Sequence, residues 1–532
     1  MIRRSKKAIN IRSMIRDARF IFASKIAGIM AVSALALSFF AKYVPFNMDE
    51  FISYVLISYN HSPLNRLNVF REALTEYYLA PFPNIFLPLR SFYYTGTLQA
   101  FLYYPIFILW ASPLSARLLG LIMLAFQAYF LYKTFKTDIF ISFIFLIFFM
   151  PYAYIHIADI GPMSFHTTSV LFICYLLSQW MASLIKKKKF MWKYPFLIGI
   201  ILFLGVWYKI AYTFVLPGLF LLILYYMIEN RKIFRSVPGK MILVRSLIVM
   251  AASAMIPTFL LLNSVDPYGL KYYKWFTGSG ILGIFDFSKL IALCSFFTNP
   301  LKAANGIFVF GPDRITAQGI LLILIIITFI VWGTMQLRSK KIKIGFIIVN
   351  LLCFFMTLLL ESKSDRTYGM HHVVLSLPFL VLALSYIYSK VQGRLITIIL
   401  AALFLMVNIN LYFNITRLEY QFSNHPNKIK LNELLNKKYA NRYVFVVVDW
   451  GMYYIKALYG PRQECVLYIQ PFNSEEQAVK VKEILHKIKR KALFIYSDYT
   501  VSDIGLIKRE FPSLIELRTD FDTGKWKVLY ER

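Results

Sequence analysis

The sequence predicts a polytopic α-helical membrane protein with a small α/β domain at its C-terminal end. Only 16% of the 532 residues are charged and 58% are hydrophobic, whereas soluble proteins carry about 25% charged residues. Apolar stretches of roughly 17 to 23 residues recur from Ile21 to Phe413, close to the length that crosses a bilayer as a helix, and we count about eleven. After Phe413, short strand-like runs alternate with charged helical segments.

The basic residues that give the chain its net charge of +32 lie mainly in the loops between the apolar stretches. Basic residues cluster in alternate loops, which places those loops and the N-terminus in the cytoplasm by the positive-inside rule. We therefore attribute the positive charge to membrane topology and expect no nucleic-acid partner. The basic clusters lie at 3–19, 186–193, 231–245 and 338–343.

The apolar stretches divide the chain into a transmembrane part, 1–415, and an extracytoplasmic α/β domain, 416–532. The first stretch is predicted to be an uncleaved signal anchor, because Ala41-Lys42-Tyr43 breaks the small-residue pattern of a cleavage site. Residues 194–228 are predicted to form a hairpin of two short helices that turns near Lys209 and Pro217. The other predicted spans are 21–42, 114–132, 139–155, 164–185, 241–263, 316–336, 344–361, 373–389 and 394–413.

Two long loops are predicted on the outer side, at 43–113 and 263–318. In the first loop, Phe70 to Leu79 has the charge pattern of an amphipathic helix, and the prolines from Pro81 to Pro88 break the chain after it. Residues 97–112 are apolar but contain Pro105, which favours an interfacial helix over a span.

The C-terminal domain is predicted from a change in the spacing of apolar residues, which shifts from long membrane spans to short strand-like runs between charged helical segments. Its expected strands are 443–448, 465–469, 492–497, 514–518 and 526–530, and its expected helices are 474–490 and 502–511. Ser474 followed three residues later by Gln477 is a typical helix N-cap. The cysteines Cys174, Cys294, Cys353 and Cys465 show no paired spacing, so we expect no disulfide or zinc framework.

A pair of carboxylates, Asp49 and Glu50, follows the first span. A carboxylate held at the membrane boundary and partly desolvated has the raised basicity needed to accept a proton from a hydroxyl group. The alternative is a pair of ordinary interfacial charges.

Cationic residues form a second group of candidates on the outer side. Arg366, His371 and His372 lie at the head of a predicted span, where cations beside a helix N-terminus suit an anionic phosphate. Lys209 is an ionisable group within apolar sequence and is a functional candidate for that reason. The alternatives are a solvated charge run for the first set and snorkelling to the interface for Lys209.

Arg117, at the head of the second span, is a candidate for the same reason as Lys209 and has the same alternative. A third set of outer residues is His156, Asp159 and His166. Asp159 and His166 are seven residues apart and share a face if the segment is helical. Such a set suits a metal, although the spacing is also that of ordinary interfacial residues.

The order of these features resembles that of the GT-C glycosyltransferases over residues 20 to 415. The resemblance rests on the acidic pair in Asn47-Met48-Asp49-Glu50, on the segment 94–118 ending in Ala116-Arg117-Leu118, and on Gly205 to Lys209 and Met370 to Phe379. One departure is Tyr93-Tyr94-Thr95-Gly96, which stands where such proteins often have His-Pro-Pro-Leu.

This resemblance implies an inverting transfer of a hexosyl or pentosyl group, outside the cytoplasm, from a polyprenyl-phosphate-linked donor to a hydroxyl of a lipid, glycan or protein in the cell envelope. It implies that Asp49 is the general base or orients the acceptor, with support from Glu50, and that Asp159 is a second carboxylate or a metal ligand. No cofactor is required and a divalent metal is optional. The expected substrate-binding cations are Lys209, Arg366, His371, His372, Arg90 and Lys271.

Two other functions remain open at the level of sequence. A transporter or flippase of lipid-linked precursors places ionisable groups at the bilayer midplane and often has repeated halves, and we find no internal repeat. A non-enzymatic assembly protein with a C-terminal binding domain needs far fewer spans than this chain contains.

Overall fold

The computed structural model describes residues 20–35, 77–82, 85–92, 95–96, 113–149, 162–187, 191–235, 237–265, 317–340, 342–362, 374–391, 425–449, 465–469, 472–497, 504–521 and 526–532, with a few single residues between these ranges. The chain divides into two units. The first comprises Met1–Val44, Ser112–Leu262 and Gly269–Leu418, and the second comprises Pro45–Ala111, Asn263–Tyr268 and Glu419–Arg532.

The first unit is helical throughout its described part. The two predicted short helices and the break between them near Lys209 are confirmed: α5 and α6 are joined by a 3-10 helix, Ile210–Phe214. The helices are α1 (Phe20–Leu35), α2 (Pro113–Phe135), α3 (Ile139–Phe148), α4 (Pro162–Lys187), α5 (Lys193–Tyr208), α6 (Leu216–Glu229), the short α7 (Arg231–Phe234), α8 (Val237–Val265), α9 (Ala317–Ser339), α10 (Gly345–Ser362) and α11 (Leu377–Lys390).

Four of these described helices contain a segment long and apolar enough to cross a membrane: Arg117–Phe135, Ser164–Ile185, Pro238–Leu261 and Gly319–Ser339. Six others are apolar but shorter, between 10 and 17 residues. The segment in α8 exposes large apolar side chains such as Met255 and Phe259, which suits a helix that faces lipid. The total of about eleven spans stays a prediction, since the last predicted span, 394–413, lies largely outside the described residues.

Close helix packing depends on glycines at several contacts. A Cβ atom on Gly120 would lie 1.4 Å from the backbone oxygen of His156, and one on Gly199 would lie 2.4 Å from the backbone oxygen of Met250. Because backbone atoms cannot move aside as a side chain can, only glycine permits these approaches. The aromatic rings of Phe130 and Phe172 stack between α2 and α4 at a centroid distance of 4.7 Å.

The long loop 43–113, predicted to lie on the outer side, contains a small sheet that was not predicted from the sequence. Strands β1 (Tyr77–Phe82), β2 (Ile85–Phe92) and β3 (Thr95–Gly96) pair antiparallel in that order. The predicted helix over Phe70 to Leu79 is therefore wrong from Tyr77 onward, and 70–76 lie outside the described residues. The prolines are accommodated because the register shifts between Leu79 and Phe82 and between Tyr77 and Tyr78, where ladder bonds are interrupted.

The C-terminal part forms a five-stranded sheet with the order β5-β4-β6-β8-β7. Strands β4, β5 and β6 are parallel, and β8 pairs antiparallel with β6 and β7. Each strand overlaps its predicted range, whereas helix α12 was not predicted. The elements are α12 (His425–Tyr439), β4 (Tyr443–Val447), β5 (Cys465–Tyr468), α13 (Glu475–Ile488), β6 (Lys491–Ser497), α14 (Ile504–Glu510), β7 (Leu514–Glu516) and β8 (Trp526–Glu531).

Local polar contacts set the ends of these elements. Ser474 and Gln477 form the predicted capping box at the start of α13, which satisfies two backbone N–H groups that have no partner within the helix. Asp449, at the carboxyl end of β4, accepts hydrogen bonds from the Met452 backbone N–H at 2.9 Å and from Trp526 Nε1 at 3.1 Å. This carboxylate therefore ties β4 to the start of β8.

We predict that Gly120→Ala destabilises the helical unit by about 3 kcal/mol or more, because the added methyl group overlaps a backbone carbonyl. Thermal unfolding of the detergent-purified protein measures the effect. The control is Gly505→Ala in α14, where no described atom lies within 4 Å of the added Cβ and the helix propensity improves by about 1 kcal/mol. Equal unfolding temperatures for Gly120→Ala and the wild type would contradict the contact.

Candidate functional site

Lys209 lies at a break between two membrane helices. Its backbone is extended, with φ −156° and ψ 133°, and it ends α5 before the 3-10 helix begins. Its N–H donates to the Gly205 oxygen at 3.2 Å, and its own oxygen accepts from the Tyr212 N–H at 3.0 Å. The break is therefore held by backbone hydrogen bonds on both sides.

The side chain of Lys209 is only 6% exposed. The side chain is enclosed by protein, whereas the snorkelling alternative requires an exposed cation at the interface. A buried cation among membrane helices is costly and is typical of a substrate or ion site. Lys209 also lies close enough to His166 for its charge to act on that ring.

His166 is fixed in orientation beside this break. Its Nε2 donates to the Gly205 oxygen at 3.0 Å, which assigns the hydrogen to Nε2 and leaves Nδ1 as an acceptor. The ring packs against Tyr208 and Tyr212 at centroid distances of 5.8 and 4.7 Å. A Cβ atom on Gly205 would lie 2.3 Å from the Tyr212 ring, so a glycine is needed where these groups meet.

His156 anchors a second buried polar network. Its Nδ1 lies 2.8 Å from Ser164 Oγ, and its Nε2 lies 3.1 Å from Thr167 Oγ1 and 3.2 Å from Gln127 Nε2. The Gln127 amide is a donor, so Nε2 is the acceptor and Nδ1 carries the hydrogen. Both ring nitrogens are thus engaged, which makes His156 a structural link between α2 and α4 rather than a ligand awaiting a metal.

Other polar side chains are fully enclosed in the same helical unit. Arg117, Ser115 and Ser376 each have 0% exposure. Since hydrocarbon supplies no hydrogen-bond partners, such groups are kept in membrane proteins where they support a site or bind one another. The helical unit therefore has a polar interior that includes Lys209, His166 and His156.

Most of the predicted site residues lie outside the described residues. Arg90 lies in β2, where its register partners are Tyr77 and Gly96, and Lys209 lies at the helix break. No group of three or more potential metal-ligating side chains comes together in the described part of the chain. The roles assigned to Asp49, Glu50, Asp159, Arg366, His371, His372 and Lys271 stay predictions.

The sequence analysis missed the partners of the buried histidines. Gln127, Ser164 and Thr167 are polar residues within otherwise apolar helices, and Ser164 and Thr167 are spaced so that both meet one side of a helix. That polarity was the available signal. Their contacts with His156 could not be predicted from the sequence, because they depend on how the helices pack together.

Similarity to known proteins is found in the fold and not in the sequence. No protein-family model matches the chain, and no curated protein matches it. Among solved structures, ArnT from Cupriavidus metallidurans bound to undecaprenyl phosphate superposes with a TM-score of 0.53 at 11% identity, over 95% of this chain and 97% of that chain.

The apo state of the same Cupriavidus metallidurans protein superposes with a TM-score of 0.54 at 11% identity, over 96% of this chain and 98% of that chain. The oligosaccharyltransferase of Archaeoglobus fulgidus in its apo form gives a TM-score of 0.40 at 11% identity, over 88% of this chain and 69% of that chain. Over at least 95% of its length, this chain has the fold of the ArnT structures.

Proposed function

We propose that this chain transfers a sugar from a polyprenyl-phosphate-linked donor to a hydroxyl acceptor of the cell envelope, at the extracytoplasmic face of the membrane. The observation that carries the proposal is the fold shared along 95% of the chain with a protein whose structure contains undecaprenyl phosphate. Fold alone does not assign chemistry, so the residues of this chain must supply the rest of the argument.

The first part of that argument is the acid–base chemistry. The acceptor oxygen attacks the anomeric carbon, the bond from that carbon to the phosphate oxygen breaks, and the lipid phosphate leaves with the electron pair. Asp49 takes the proton from the attacking hydroxyl, and Glu50 supports it. Attack from the face opposite the leaving phosphate inverts the anomeric centre.

The second part is stabilisation of the leaving phosphate. Negative charge grows on that group as the bond breaks, and cations already fixed in a dry site stabilise it more strongly than water does. Lys209 has the required charge and burial, and the backbone bonds at Gly205 and Tyr212 hold it in place. Arg366, His371, His372, Arg90 and Lys271 are the other proposed phosphate-binding cations, and Asp159 is the proposed second carboxylate.

His166 suits a supporting role at the same place. Its Nε2 bond to Gly205 holds the carbonyl that also accepts from the Lys209 N–H. The ring therefore helps to fix the backbone break that presents Lys209. The proposal needs no metal, and a divalent ion is an optional addition near Asp159.

We predict that Asp49→Asn lowers the turnover number for sugar transfer at least a hundredfold, because the amide cannot accept the hydroxyl proton. The assay uses the purified full chain and a radiolabelled polyprenyl-phosphate sugar with an envelope lipid extract as acceptor. Asp138→Asn is the control, since Asp138 is an acid that caps α3 and pairs with Lys25. Wild-type turnover in Asp49→Asn would rule out the base assignment.

We predict that Lys209→Met raises the KM for the lipid-linked donor by about tenfold to a hundredfold, the loss expected for one hydrogen bond to a charged group. Lys209→Arg keeps the charge and should recover part of the affinity. Lys193→Met removes an exposed cation from the other end of α5 and should leave KM unchanged. An unchanged KM in Lys209→Met, with the protein folded, would remove Lys209 from the donor site.

A further inference from the structure

A basic groove lies on the C-terminal sheet domain, where β4 and β6 begin and α13 ends. It encloses about 1030 Å³, which is at the upper end of the range for ligand pockets. Its walls come from the turn before β4, from the last turns of α13, from the start of β6 and from the residues after α14. We call it the basic groove.

The lining of the basic groove has an excess of positive charge. Two carboxylates, Glu510 and Glu531, face five permanent cations, which leaves a net charge of +3 with His486 neutral. The hydrogen bond from Lys482 lowers the pKa of Glu510, so this acid stays ionised at neutral pH. The cations are Arg442, Lys482, Lys489, Arg490 and Lys491.

Part of this charge is already compensated. Lys482 pairs with Glu510 at 3.0 Å, Arg490 Nη1 donates to the Ala440 oxygen at 3.4 Å, and Lys491 Nζ donates to the Arg532 oxygen. In contrast, the exposed side chains of Arg442, His486 and Lys489 make no hydrogen bond or ion pair with the described part of the chain. Three basic groups on one groove are therefore available for a ligand.

The helix dipole explains only some of these cations. His486 and Lys489 lie at the C-terminal end of α13, where cations stabilise the helix. Arg442 and Lys491 come from β-strand termini and gain nothing from that dipole. Lys489 adopts the left-handed backbone, φ 54°, that is common where a helix ends, and its N–H donates to the Leu485 oxygen. Cations from separate elements therefore meet on one groove, which suits an anionic partner.

We propose that the basic groove binds an anionic saccharide that carries phosphate groups. This identification of the acceptor class rests on the proposed function: the saccharide is the acceptor to which the sugar is transferred. Lysine and arginine side chains bind phosphate oxygens through charge-assisted hydrogen bonds. A groove open along one side admits a chain of sugars whose phosphates meet successive cations.

The shape and apolar lining favour a saccharide over a bilayer surface. Proteins that lie on membranes insert exposed apolar side chains between the head groups. Among the apolar residues of the basic groove, Tyr443, Leu485 and Phe511 are each at most 9% exposed and serve the core of the domain, whereas Ile488 is half-buried and Pro512 is exposed. Concavity likewise suits a ligand that enters the groove rather than a flat sheet of lipids.

We predict that the full chain, in nanodiscs of uncharged phosphatidylcholine, binds a fluorescent phosphorylated dextran oligosaccharide and does not bind neutral dextran of the same length. Arg442→Gln combined with Lys489→Gln should weaken this binding about tenfold, the loss expected for two exposed charge contacts. The matched control combines Lys487→Gln with Lys508→Gln. These two exposed lysines of the same domain lie outside the groove lining and carry the same total charge.

Several results would overturn the proposal. Equal losses in the two double variants would mean that the binding is unspecific attraction to a basic domain. A loss of affinity for vesicles containing phosphatidylglycerol, with dextran binding unchanged, would identify the partner as the bilayer. Because no donor is present in this assay, saccharide binding is measured independently of sugar transfer, and a failure of the proposed function would leave the binding result intact.

Discussion

Polar groups buried among the membrane helices depend on one constraint: hydrocarbon supplies no hydrogen-bond partners, so every bond must come from the protein. The two buried histidines meet this constraint to different degrees, since His166 Nδ1 has no hydrogen-bond partner in the described part of the chain. His156 uses both ring nitrogens to join α2 to α4. His166 uses Nε2 to hold the Gly205 carbonyl, next to the point where α5 gives way to the 3-10 helix. Helix packing and the position of Lys209 follow from these bonds.

Glycine makes both arrangements geometrically allowed. Gly120 lets the His156 backbone approach α2, and Gly205 leaves space for the Tyr212 ring against α5. A helix break that contains a buried lysine is otherwise unfavourable, because it frees backbone groups and desolvates a charge. Here the freed groups bond within the break. Under the proposed function, the buried charge of Lys209 serves the leaving phosphate.

The fold was predictable where the signal is local. The hairpin at Lys209, the capping box at Ser474 and the strands of the C-terminal sheet all follow from short patterns of polarity. The sheet β1-β2-β3 was missed because Tyr77–Phe82 ends a stretch with helical charge spacing and contains a proline, while its pairing depends on residues beyond the turn. Strand pairing is set by such cross-strand contacts more than by propensity.

The candidate site was predictable only in part, for a similar reason. A lysine within apolar sequence is visible without a structure, so Lys209 was identified as a candidate. The enclosure of that lysine, the orientation of His166 and the engagement of His156 by Gln127 arise from contacts between helices distant in sequence. The basic groove was also invisible in sequence, since Arg442, Lys489 and Lys491 meet only when β4, α13 and β6 assemble.

The most direct test of the central claim is mass spectrometry of envelope glycolipids and glycans from cells that carry the gene for this chain and from cells that lack it. Sugar transfer from a lipid-linked donor predicts that one sugar-modified species disappears without the gene, while its unmodified acceptor accumulates. Restoring the wild-type gene should reverse both changes. Identical envelope profiles with and without the gene, under conditions in which the protein is present in the membrane, would contradict the claim.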